Sequence, residues 1–170
     1  RKSTGKTVIL SVGPQVFDGL TAADNLSNQN IECEVVNCRF IKPMDYAYLQ
    51  SIIGRFENVV TVEEGVKTGG FGEGVAAWLV TNGFKGNIKI ISLPDEFVEN
   101  GPRDMLLEKW GVNQKGIENS ILSLNESVKL QYWSMSSISL VILGFLTFYA
   151  GYKFYSVYLS QNLFDIEDTS

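Results

Sequence analysis

Glu63 and Glu64 stand side by side at the end of an apolar run. Two carboxylates are the simplest acid–base apparatus a chain can carry. If that run is a strand that persists to them, however, adjacent side chains leave on opposite faces and cannot share a proton. The expected use of one of them is an ion pair with Arg39 or Lys42. Next comes a loop with Gly65, Gly69, Gly70, Gly72 and Gly74, and with Lys67 among them. Backbone amides at a helix start can hold an anion there. Glycines also permit positive φ and close packing, and Glu73 would oppose a phosphate, so packing is the expected role.

Other candidates weaken on inspection. Gly5-Lys6-Thr7 ends like a phosphate-binding loop, but it lacks the upstream glycine and precedes the first strand instead of following one. Cys33 and Cys38 lie five apart in an apparent strand, so they should face opposite ways as buried, reduced thiols, without a disulfide or shared metal. The chain has no histidine, which removes imidazole bases, His-based triads and His metal ligands together. Asp95, Glu96 and Glu99 form an acidic cluster without cationic neighbours and read as a solvated turn. Trp78 and Trp110 read as core or interface residues. No residue is therefore nominated as catalytic, cofactor-binding or metal-binding. A net charge of −5 and the lack of any Lys/Arg run argue against a nucleic-acid partner.

The elements that must position these residues alternate in type. Residues 7–12 are an apolar run of the kind buried on both faces, ending at Gly13-Pro14. Val16, Leu20, Ala23 and Leu26 recur at helical spacing, and residues 31–36 read as a second strand. Asp45 is placed to cap a helix over 46–53. Residues 58–62 are a third strand, 75–80 a helix, and 88–91 a fourth strand. A short helix over 103–110 ends at Gly111. Strands alternating with helices predict an α/β fold, a three-layer domain around a mainly parallel sheet.

The character changes after Leu122. The chain divides into a folded domain at 1–122, a polar linker at 123–131, a hydrophobic helix at 132–159 and an acidic tail at 160–170. Residues 132–152 contain 21 positions without a charge. As a helix they would be about 30 Å long, close to the hydrocarbon thickness of a bilayer. Trp133 at one end and Tyr149, Tyr152, Tyr155 and Tyr158 at the other resemble interfacial belts, and Lys153 could snorkel. The alternatives are a helix that packs on a neighbouring chain and a tail acquired by frameshift or fusion. Lys129 and Lys153 flank the segment and give no orientation. A start at Arg1 without methionine predicts a chain processed or cut from something longer.

In order and spacing, Arg39-Phe40-Ile41-Lys42-Pro43-Met44-Asp45, then Thr61-Val62-Glu63-Glu64-Gly65, then Gly69-Gly70-Phe71-Gly72 resemble the third domain of transketolase-type thiamin-diphosphate enzymes. Among these, the likeness is to the 1-deoxy-D-xylulose-5-phosphate synthase family. Leu93-Pro94-Asp95 with Phe97, and later Gly111, Gly116 and Ile117, continue the pattern, which covers residues 5–122. The β-subunits of 2-oxo-acid dehydrogenases share the Lys-Pro-x-Asp and Gly-Gly-Phe-Gly elements, while Phe40 and the ending 93–117 favour the synthase. The chain departs from the pattern at Asn100, where the family often has histidine, and in its tail beyond Leu122.

The resemblance implies an intact enzyme that condenses pyruvate with glyceraldehyde 3-phosphate, releases carbon dioxide and opens non-mevalonate isoprenoid synthesis. Thiamin diphosphate would supply the carbanion and magnesium would tie its diphosphate to the protein, in domains other than this one. The diphosphate motif Gly-Asp-Gly followed by Asn does not occur here. The expected role is thus non-catalytic, structural and dimer-supporting, with neither cofactor bound by this chain alone. The implied partners are the remaining synthase domains and a second copy. The implied place is the cytoplasm, with the hydrophobic helix as a possible membrane anchor. Other readings are a 2-oxo-acid dehydrogenase β-subunit domain, a free-standing membrane-tethered module holding a small anion at 65–74, and a regulatory domain with no identifiable effector site.

Overall fold

A computed structural model of the chain describes the backbone of residues 1–162 and the side chains of residues 1–126 and 138–159. Residues 163–170 of the expected acidic tail and the side chains of Lys129 and Trp133 lie outside the described residues. The chain divides into two compact units, Arg1–Asn125 and Glu126–Ser170.

The first unit is built on four parallel strands: β1 (Thr7–Ser11), β2 (Cys33–Asn37), β3 (Asn58–Val66) and β4 (Asn87–Leu93), in the order β2-β1-β3-β4. Ile9 pairs with Val35 on one side and Val60 on the other, which sets the register of β2, β1 and β3. All five residues of β1 are buried, as expected of a strand covered on both faces. Arg1 exchanges backbone hydrogen bonds with Val35, 3.0 Å in each direction, and so covers part of the β2 edge.

Strand alternation sorts the core into two layers. Ile9, Val35, Val60 and Val62 face one way, against Ala22, Ala23 and Leu26 of α1 (Gln15–Ser27). Leu107 of α4 (Arg103–Lys109), with Ile117 and Ile121 of α5 (Gln114–Asn162), completes that layer. Val8, Leu10 and Val59 face the other way, against Leu49 and Ile52 of α2 (Tyr46–Ile52) and Val75 and Leu79 of α3 (Phe71–Thr81). Each fully buried side chain of this size contributes about 1.5–3 kcal/mol, which the ordering of the chain offsets. The three-layer α/β expectation therefore holds.

Several boundaries shift for physical reasons. β3 runs to Val66, four residues past the expected end, because Val66 still pairs with Leu93 after an irregularity in the ladder. α3 begins at Phe71 and not at Val75, although Gly72 and Gly74 are poor helix formers. Asp45 caps α2 as expected, its carboxylate accepting the Tyr48 N–H at 2.9 Å. Gly111, at φ +68°, ends α4 as expected: Val112 N–H reaches back to the Leu107 carbonyl at 2.8 Å. Residues 123–131, read as a linker, are helical and belong to α5.

Candidate functional site

The adjacent glutamates at the end of β3 do part company. Glu63 is buried, 6% exposed, and Glu64 faces solvent. The Glu63 carboxylate accepts the Phe71 N–H at 2.9 Å and the Gly72 N–H at 2.8 Å. These amides open α3, where the first turn leaves its N–H groups without helical partners and the dipole favours negative charge. That is where an external anion would sit, and the chain's own carboxylate fills it. Sequence reasoning missed this role. The available signal was a glutamate at the end of an apolar strand, eight residues before the helix start.

The glycines make that approach possible. A Cβ on Gly70 would lie 2.4 Å from the Val66 carbonyl oxygen and 2.7 Å from a Glu63 carboxylate oxygen. One on Gly72 would lie 2.4 Å from Thr61 Oγ1 and 2.7 Å from Ile90 Cγ2. Gly69 adopts φ +73°, and its N–H is held by the Glu73 carboxylate. The packing role expected for this loop is the observed one.

Glu64 points to the opposite layer and pairs with Arg103, not with Arg39 or Lys42. The guanidinium approaches through Nη2 at 2.6 Å and Nε at 2.8 Å, and Gln15 Nε2 donates at 3.3 Å. Hydrogen bonding from Arg103 holds the Glu64 carboxyl below its ordinary range, and the same bond raises Arg103. Arg39 and Lys42 lie by α2 and α3 on the other face of the sheet, so the alternation that separates the glutamates also separates these cations from Glu64. Among the described residues neither has an ion-pair partner.

Cys33 belongs to the α1 layer and Cys38 packs with the α2–α3 layer, so they do face opposite ways. Burial pushes the thiols up to about 11 and about 12, respectively. Lys6 pairs with Glu57 ahead of β1. Glu99 is not without a cation: Lys109 Nζ lies 2.5 Å from it. Trp78 stacks on Tyr46, ring centroids 5.6 Å apart, beside a groove of about 780 Å³ lined by Ile41, Lys42, Pro43, Gly69, Gly74 and Ala77 among others. Among the described residues no group of three or more His, Cys, Asp or Glu could hold a metal ion. Both glutamates at the head of the sheet are thus engaged in holding the structure.

Residues 1–117 match the family described as Transketolase, C-terminal domain. The chain belongs to that family. The transketolase C-terminal-type domain also has curated relatives of the expected kind. It is 38% identical over 114 residues to 1-deoxy-D-xylulose-5-phosphate synthase of Aquifex aeolicus, covering 67% of this chain and 18% of the relative. It is 39% identical over 126 residues to the same enzyme of Listeria welshimeri, covering 73% and 20%. The chain therefore spans about a fifth of the length of these relatives. Among solved structures, a chain of a split-gene transketolase, an inactive β4 tetramer, aligns with TM-score 0.64 at 27% identity, over 72% of this chain and 39% of that one. Transketolase of Campylobacter jejuni aligns with TM-score 0.51 at 20% identity over 72% and 17%, which speaks to the fold alone.

Proposed function

We propose that this chain serves as the non-catalytic C-terminal domain of a thiamin-diphosphate-dependent 1-deoxy-D-xylulose-5-phosphate synthase, supporting its architecture and its dimer. In that setting the rest of the enzyme condenses pyruvate with glyceraldehyde 3-phosphate, with thiamin diphosphate and magnesium held outside this domain. The observation that carries the reading is the Glu63 carboxylate on the α3 amides: the glycine-rich helix start where an anionic ligand would be sought is committed to an internal contact. The sequence relatives supply the enzyme's name, and the chain's share of their length supports a part within a larger whole.

The test is the mass of the natural polypeptide, detected in its own cells with an antibody raised against residues 1–122. A band several times larger than 18.9 kDa is expected. A band near that mass would overturn the reading. Calorimetry of the isolated chain with thiamin diphosphate and magnesium should show no heat of binding, and a measurable affinity would contradict the non-catalytic role.

A further inference from the structure

The domain role assigns nothing to Ile138–Leu159, a 22-residue stretch of α5 long and apolar enough to cross a membrane. None of it is buried. A core helix of a soluble protein reaches such composition by being covered, and a cleaved signal would lie near the start of a chain. This segment is neither covered nor near the start.

Its apolar residues also fail to form a single face. Ile138, Leu140, Leu143, Leu146, Phe148 and Phe154 are all more than half exposed. With Val141, Ile142, Phe145, Tyr149, Tyr152 and Tyr155, they leave no gap wider than about 60° around a helix that turns 100° per residue. A helix that docks in a protein groove needs one apolar stripe and keeps a polar face for water. A helix that is apolar all round needs an apolar solvent. Its polar groups are few, and Thr147 Oγ1 satisfies itself by donating to the Gly144 carbonyl at 2.9 Å. The one charge, Lys153, falls among Tyr149, Tyr152 and Tyr155, where amphipathic rings and a snorkelling ammonium suit a headgroup layer.

We infer that α5 crosses a lipid bilayer through this segment together with the uncharged residues that precede it from Tyr132, with the Tyr149–Lys153–Tyr155 region near one interface. The occupant of the surface is lipid, and the inference does not rest on the synthase reading.

The full 170-residue chain, reconstituted with phosphatidylcholine vesicles, should float with them on a density gradient and stay bound through an alkaline carbonate wash. Leu143→Arg with Leu146→Arg places two charges in the hydrocarbon and should cut the floating fraction to less than about a tenth. The thermal transition of the α/β unit, followed by near-ultraviolet circular dichroism, should not move in that variant, which separates lost insertion from lost folding. Three results would overturn the inference: release by carbonate, which means a surface-lying helix; failure of the wild-type chain to float, including as a lipid-free soluble oligomer; or undiminished flotation of the double variant.

Discussion

The two sides of the sheet's head treat neighbouring carboxylates differently. On the α3 side, Glu63 is enclosed and its partners are two backbone amides fixed by the helix start. On the α4 side, Glu64 meets a side chain, Arg103, that is itself about half exposed. Amides in a helix's first turn cannot move away, and once buried they cannot turn to water. A guanidinium on a flexible stem can do both. The same residue type, one position apart, therefore acts as a fixed cap in one region and as an adjustable tie in the other.

The largest expected effect comes from emptying the enclosed side. Glu63→Ala strands two buried N–H donors and should lower the unfolding free energy by about 3 kcal/mol. Urea titration followed by tryptophan fluorescence reads it, and an unchanged midpoint would remove the basis of the comparison.

A second test sharpens the same side without touching charge. Gly72→Ala gains helix propensity, yet its Cβ would press on Thr61 Oγ1 and Ile90 Cγ2. The net loss should be about 2 kcal/mol. Adding Thr61→Ala should return part of it, because the Ile90 contact and a wider one to a Glu63 carboxylate oxygen at 3.3 Å remain. A double variant no more stable than the single one would show that Thr61 is not the obstacle.

The smallest effect belongs to the exposed side. Glu64→Gln should cost much less than Glu63→Ala near neutral pH, because an exposed pair is screened by water and salt. Its signature is in pH. The Glu64 carboxyl is lower in the folded state than its ordinary 4.5, so its contribution is present above that value and is lost as pH falls through the folded value. Glu64→Gln should flatten that part of the acid limb of the stability curve. A variant curve parallel to wild type through the acid limb would dissolve the assigned tie.

The sequence carried the alternation of apolar strands and helices, the Asp45 cap and the Gly111 stop, because each is a local pattern. It also placed Glu63 and Glu64 on opposite faces, and Cys33 and Cys38 likewise, since strand geometry has a period of two. It could not tell which cation meets Glu64. Arg103 is 39 positions away, and its approach depends on which layer α4 joins. Nor did it show why α3 starts among glycines, since the capping carboxylate comes from the strand before the loop.

Composition and periodicity thus determined the fold class, the two-layered core and the long apolar segment at the chain's end. Local propensity and pattern are written in neighbouring residues. Only the tertiary structure decided that the Gly-rich loop holds an internal anion and that Glu64 pairs with Arg103 at the sheet's head. Those contacts exist once strand order and crossover direction have brought distant residues within hydrogen-bond reach.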